Sequence, residues 1–144
     1  MREIRTEVDI AAPPEDVWRV AADFRSYAAW NPFMPLFEAE ARPGTKGRLS
    51  VAMPGNSARS MTVSILDAKR PRELRWRGAL LGQWLFSATH IIELSARDGG
   101  THVVNREEYR GILAPLLVRG LWDSLPGGYE AMNAALRARV EGSA

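Results

Sequence analysis

The chain reads as an α+β protein built on a seven-stranded antiparallel sheet, and three observations predict it. Between residues 36 and 110, short stretches of alternating apolar and polar residues follow one another with only turn signals between them. Strands joined this tightly pair with their sequence neighbours. A helix start directly follows the first strand, and a long amphipathic stretch fills the C-terminal end. Helices grouped at the ends of an antiparallel sheet define the class. At 144 residues the chain is most simply one domain, residues 1–144, long enough to bury about 70% of its unfolded surface.

Each element has its own signal. Residues 2–10 set Ile4, Thr6, Val8 and Ile10 against Glu3, Arg5, Glu7 and Asp9, a strand with one wet face. Ala12-Pro13-Pro14-Glu15-Asp16 then starts a helix, with proline in the first turn and acids at the positive dipole end. Val17, Val20, Ala21 and Phe24 form its apolar stripe. A second short helical piece, Arg25 to Trp30, is predicted to stop at Asn31-Pro32, because the residue before a proline leaves the helical region. Strands follow over Leu36–Ala41, Gly47–Met53, Arg59–Ala68 and Glu73–Gly78, with turns at Pro43-Gly44-Thr45-Lys46, Pro54-Gly55-Asn56-Ser57 and Lys69-Arg70-Pro71. Residues 79–85 are an apolar connection, and Gly111 ends the last strand. From Leu113 to Val140, Leu121, Leu125, Tyr129, Met132, Leu136 and Val140 recur every three or four residues. Pro126-Gly127-Gly128 interrupts the stripe without shifting its phase, which predicts a kinked or two-piece helix on one surface.

The hairpin over residues 86–111 carries the most information. Phe86, Ala88, His90, Ile92 and Leu94 share a face on its first strand, and Val103, Asn105, Glu107 and Tyr109 share one on its second. Side chains alternate along a strand, so these less charged sets point inward. The turn signal Arg97-Asp98-Gly99-Gly100 makes paired positions sum to 197. That register sets His90 opposite Glu107, Ile92 opposite Asn105 and Leu94 opposite Val103. A histidine and a carboxylate on a core-facing surface are costly unless they bond something.

Composition closes off several functions. The hydrophobic share of 46% and charged share of 25% are those of an ordinary globular protein. There is no cysteine, hence no disulfide, thiolate nucleophile or cysteine metal site, and His90 and His102 lie on opposite faces of one hairpin. Neither a metal nor a cofactor is expected. No Gly-x-Ser-x-Gly elbow occurs, and Gly111, Gly120, Gly127 and Gly128 lack phosphate-loop spacing. The N-terminal MREIRTEVDI is charged throughout, unlike a signal peptide. No apolar run approaches the ~18 residues of a membrane span, so a cytoplasmic protein with no stable membrane insertion is expected. Seventeen arginines against two lysines suit a GC-rich bacterial genome. The densest basic cluster, Arg70, Arg72, Arg75 and Arg77, alternates with Leu74 and Trp76 as the outer face of a half-buried strand would, so no nucleic-acid partner is expected. A homodimer is compatible with the sequence.

Four segments resemble a known superfamily. Ala12-Pro13-Pro14-Glu15-Asp16-Val17-Trp18 looks like its strand, proline, then "xxVW" helix; Asp23, Tyr27 and Trp30-Asn31-Pro32-Phe33 resemble its "D…Y…WNPF" segment. Phe86 through His90-Ile91-Ile92-Glu93-Leu94, with Gly99-Gly100-Thr101, is similar to its "H-x-F-x-L…GT" hairpin. Arg106-Glu107-Glu108-Tyr109-Arg110-Gly111-Ile112-Leu113 resembles "REEFxGLL", followed by Tyr129-Glu130-Ala131-Met132-Asn133 on the terminal helix. The superfamily is the START-like helix-grip group (SRPBCC), which includes polyketide cyclase/dehydrase-like proteins, lipid-transfer domains and pollen-allergen-like proteins. The likeness covers essentially the whole chain.

The resemblance implies a strongly curved sheet around the long helix with a cavity between them, although periodicity alone would equally permit a solid core. Its candidate lining is Met61, Val63, Trp76, Phe86, His90, Asn105, Glu107 and Tyr109 from the sheet, with Trp30, Phe33 and Met34 from the entrance. Trp122, Leu125, Tyr129 and Met132 come from the terminal helix, and Trp84 is either a gate or a surface aromatic. Most of these are also ordinary core residues. His90, Asn105, Glu107 and Tyr109 read either as a self-satisfied polar network or as a patch that orients a ligand carbonyl or hydroxyl. Three functions follow. The first is binding of a hydrophobic or amphipathic small molecule. The second is a cyclase/dehydrase-like enzyme in which Glu107 sets the tautomer of His90 and Tyr109 assists. The third is an interaction module like the superfamily's chaperone-ATPase activators, docking through Arg70–Arg77.

Overall fold

The alternation over the first ten residues forms strand β1 (Arg2–Ile10), with Ile4, Thr6 and Ile10 buried and the charged residues outside. The computed structural model describes residues 1–52, 58–80, 82, 84–120 and 122–142. Helix α1 (Pro14–Ala21) begins at Pro13 with Glu15 and Asp16 in its first turn, and a 3-10 helix follows over Phe24–Ala29. An ion pair from Arg70 to Glu15 ties α1 to the distal turns of the sheet.

Six strands complete the sheet: β2 (Leu36–Glu38), β3 (Lys46–Val51), β4 (Arg59–Lys69), β5 (Glu73–Leu80), β6 (Phe86–Arg97) and β7 (Gly100–Arg110). Their order is β1-β7-β6-β5-β4-β3-β2, antiparallel throughout. β2 stops at Glu38 rather than Ala41, because the chain turns back through the Arg42 N–H to Glu40 carbonyl bond. β3 ends at Val51, while Met53 and the turn expected at 54–57 lie outside the described residues.

The β6–β7 hairpin has the expected register, with His90 opposite Glu107, Ile92 opposite Asn105 and Leu94 opposite Val103. Asp98 and Gly99 form its two-residue turn, both at positive φ (50° and 79°), the geometry that matches the twist of paired strands. Arg75 and Arg77 lie on the outer face of β5, alternating with buried Leu74 and Trp76. Ile91 is also buried although it faces outward, because its cross-strand neighbours Arg75 and Arg106 flank it on both sides; arginine stems cover apolar surface in this way. Arg106 is held there by Glu93 and Glu108 at 2.8 and 2.6 Å.

The C-terminal region corrects one expectation. It folds as a single turn, α2 (Ala114–Leu117), and a long helix, α3 (Leu125–Gly142). The break therefore precedes Pro126 instead of falling on Pro126-Gly127-Gly128. Proline in a first turn has no helical bond to lose. Gly128 is needed for contact, since a Cβ there would run into the Phe33 ring. Leu121 of the predicted stripe lies outside the described residues. Tyr129, Met132, Leu136 and Val140 face the sheet, and together with Ile4, Ile10, Val17, Phe24, Phe37, Leu49 and Trp76 they form one core. Among the described residues no helix is long and apolar enough to cross a membrane.

On the outer face, His102 joins β7 to β1: Nδ1 lies 2.7 Å from Asp9 and Nε2 2.7 Å from Glu7. The bonds to Asp9 and Glu7 raise the His102 pKa, and the bond to His102 lowers those of both acids. The histidine's contribution to stability is complete below its unfolded pKa of about 6.5 and is lost as pH rises through the raised folded value. The acids' contribution is present above about 4 and is lost as pH falls through their lowered values. In urea unfolding, the stability advantage of wild type over His102→Gln is expected to shrink as pH climbs above about 6.5.

Candidate functional site

Inside the concave face, three strands and α3 bring together a connected set of polar side chains. β6 supplies His90 and β7 supplies Asn105, Glu107 and Tyr109; β1 adds Thr6, the cross-strand partner of Asn105. Tyr129 and Asn133 stand one turn apart on α3 and reach down into the same space. Trp76 of β5, opposite His90, stacks on its imidazole with centroids 4.5 Å apart and planes at 13°. His90 is only 1% exposed, whereas Glu107 and Tyr109 each keep 6%.

The hydrogen bonds have a direction that can be followed from one end. The Thr6 hydroxyl donates to the Asn105 main-chain carbonyl at 2.9 Å, and a carbonyl can only accept. Thr6 Oγ1 therefore accepts from Asn133 Nδ2 at 2.8 Å, and Asn133 Oδ1 accepts from Asn105 Nδ2 at 2.8 Å. The remaining Asn105 atom, Oδ1, faces His90 Nε2 at 2.5 Å, so that nitrogen carries a hydrogen. His90 Nδ1 meets Glu107 Oε1 at 3.0 Å with one proton on the line between them. The pair is net neutral whichever atom holds that proton, which lowers the cost of burying it.

The same oxygen of Glu107 accepts from the Tyr129 hydroxyl at 2.8 Å. Tyr129 is thereby left to accept from Tyr109, also at 2.8 Å. Burial, and then the nearby Glu107, raise both tyrosine pKa values well above the ordinary phenol value. Both phenols are therefore protonated at neutral pH and act as hydrogen-bond groups rather than bases. Both nitrogens of His90 are engaged within the protein, which leaves Tyr109 as the outer end of the network.

At its outer end the network is flanked by aromatic side chains on either side of Tyr109. Phe86 and Trp122 lie 6.3 and 6.1 Å from its ring, both half-buried, and the Arg2 guanidinium sits 3.8 Å over Trp122. Met61, whose sulfur overlies Gly78, is exposed at the same end. Phe86 and Trp122 thus set apolar surface beside the outer end of the polar network.

The sequence matches the family described as polyketide cyclase/dehydrase and lipid transport over residues 1–141. The chain belongs to this family. A comparison with curated proteins finds no match. Among solved structures, the Zhui aromatase/cyclase from Streptomyces sp. R1128 aligns with a TM-score of 0.76 at 22% identity, covering 97% of this chain and 93% of that one. The protein TTHA0849 from Thermus thermophilus aligns at 0.75 and 23%, covering 99% of both chains. The di-domain aromatase/cyclase StfQ of the steffimycin biosynthetic pathway aligns at 0.78 and 13%, covering 98% of this chain and 51% of that one. At these identities the likeness is one of fold, and it is the helix-grip fold.

Within this family member the expected lining residues separate into groups. His90, Asn105, Glu107, Tyr109 and Tyr129 belong to the polar network, Trp76 stacks on His90, and Phe33 packs on Tyr129 with centroids 4.8 Å apart. Phe86 and Trp122 are half-buried beside Tyr109, and Met61 is exposed. Met34, Val63, Leu125 and Met132 are buried core. Trp30 is half-buried: its ring meets Tyr27 edge-on with centroids 4.9 Å apart and also lines a groove with Asp16, Val20, Asp23 and Val140. After it, Asn31 Oδ1 accepts from the Phe33 and Met34 amides at 3.0 and 2.9 Å, a turn in which those two side chains are buried. Trp84 is exposed on the β5–β6 connection.

Thr6 and Asn133, and the part Tyr129 plays toward Glu107, are not singled out by the sequence reading. A signal exists in Asn133, the polar member of the stripe Tyr129, Met132, Asn133, Leu136. Because Asn133 satisfies both Asn105 and Thr6, Asn133→Leu is expected to cost about 1–3 kcal/mol in denaturant unfolding. The His90 imidazole 15N signals are expected to show a protonated Nε2 in wild type.

Proposed function

We propose that this protein holds a hydrophobic or amphipathic small molecule, of lipid, polyketide or aromatic type, between the concave sheet and α3. The observation that carries the reading is the one-way hydrogen-bond chain that ends on Tyr109 beside the half-buried rings of Phe86 and Trp122. With its own proton given to Tyr129, the Tyr109 oxygen is left as an acceptor, so the ligand it suits best presents a hydroxyl to the floor and a flat apolar body to Phe86 and Trp122. Walls that are mostly apolar with a few convergent polar groups are the usual make-up of a small-molecule site. The family's description and the two aromatase/cyclases among its structural neighbours agree with this class of ligand. We take the site to work in the cytoplasm as part of one domain.

A second reading, acid–base catalysis of cyclisation or dehydration, is favoured by the single proton held between His90 and Glu107. Because His90 presents no free nitrogen, the proton would reach a substrate through Glu107, Tyr129 and Tyr109. These hydroxyls can pass a proton on by rotating their hydrogen bonds.

Saturable quenching of tryptophan fluorescence by 2-naphthol, with several-fold weaker binding of naphthalene, is the expected outcome. Tyr109→Phe is expected to erase that preference, a change of about five- to tenfold in Kd. A Tyr109→Phe protein that still prefers the naphthol would sink the assigned polarity. For the catalytic reading, Glu107→Gln is expected to stop cyclisation of a poly-β-ketone thioester analogue while naphthol binding persists. Equal turnover by wild type and Glu107→Gln would rule it out.

A further inference from the structure

Among the described residues, six large hydrophobic side chains are exposed: Met1, Met61, Trp84, Ile112, Leu116 and Leu117. All six lie at one end of the sheet. Antiparallel topology gathers there the starts of β1, β4 and β6 and the ends of β5 and β7. Met1 precedes β1, Met61 is near the start of β4, Trp84 lies between β5 and β6, and the other three follow β7. The opposite end, with turns near residues 44, 70 and 98, has none of them.

These side chains belong to an organised rim. The Ile112 N–H donates to the Trp84 carbonyl at 3.1 Å and the Leu113 N–H to the Leu85 carbonyl at 2.9 Å, which joins the two segments. Ala114 and Val118, one turn apart, are buried and anchor α2. Leu116 and Leu117 are consequently held outward. Trp84, Ile112 and Leu116 are 68%, 70% and 67% exposed. An exposed apolar group of this kind marks a place where something else docks.

Charge selects the partner. Arg2, Arg59, Arg110 and Arg119 are exposed at the same end, with Asp123 the exposed acid among the described residues between β7 and α3. Arg110 also leans on Glu108 at 3.4 Å, and Arg2 on Trp122. A second copy docking through this end would bring arginines against arginines. Tryptophan and leucine beside arginines instead suit the boundary between acyl chains and acidic headgroups, where apolar groups enter the bilayer and guanidinium groups stay at the phosphates.

We propose that this rim docks reversibly on the surface of an anionic lipid bilayer, placing the mouth of the pocket against it. Docking stands on the exposed rim and does not require the ligand reading above, although together they would let an apolar ligand pass without crossing water.

The test is co-sedimentation with vesicles of phosphatidylcholine alone and with added phosphatidylglycerol, alongside tryptophan emission. Binding confined to the phosphatidylglycerol vesicles, with a blue shift that Trp84→Phe removes, is expected. Arg110→Gln with Arg119→Gln should weaken binding about thirty-fold. Ile112→Glu with Leu116→Glu should abolish it while 2-naphthol binding and the thermal melt stay as in wild type. Failure to bind either vesicle overturns the proposal, and so does equal binding by the glutamate variant. A concentration-dependent dimer, or a complex with an acidic carrier protein that alone depends on Ile112 and Leu116, would also overturn it by giving the rim another occupant.

Discussion

The Thr6 hydroxyl points at an atom that can only accept, the Asn105 carbonyl, and this contact between two neighbouring strands orients the polar network around His90. From it follow the setting of two asparagine side chains, the hydrogen on His90 Nε2, and the sense in which Tyr129 and Tyr109 give their protons. A buried polar network is stabilising only when every member is satisfied. Here the members come from β1, β6, β7 and α3, so the network also fixes how the helix sits on the sheet. A sliding of α3 by one turn would take Asn133 from Asn105 and Thr6, and Tyr129 from Glu107 and Tyr109.

Aromatic packing on the far side serves the same arrangement. Phe24 and Phe37 stack at 4.1 Å and both meet Trp76 edge-on, while Trp76 lies flat against His90. The imidazole thus has a wall on one face and fixed partners at both nitrogens, leaving it a single orientation. Through Trp76 the polar network and the aromatic core share one packed interior.

The sheet is legible in the sequence because its determinants are local. Alternation marks the strands, and Asp98-Gly99 sets the register that pairs His90 with Glu107. The network around that pair is half legible, because Asn133 and Thr6 are brought to it by the seating of α3 and β1, which no spacing within the chain encodes. Trp30, Phe33 and Met34 look alike in the sequence, and it is the turn made by the Asn31 side chain with the Phe33 and Met34 amides that leaves those two buried and Trp30 half-buried. The terminal helix shows in its stripe, but a proline that can break a helix can equally begin one. Its meaning depends on the Phe33 ring lying across Gly128.

That last contact has a mechanical consequence. With no side chain on Gly128, the helix backbone rests directly on an aromatic ring, so the first turn of α3 cannot move toward the 30s segment. Glycine at 128 thus sets how closely α3 approaches the 30s segment, and any side chain there would have to push the helix off the ring. On the other flank α2 is held by the buried Ala114 and Val118.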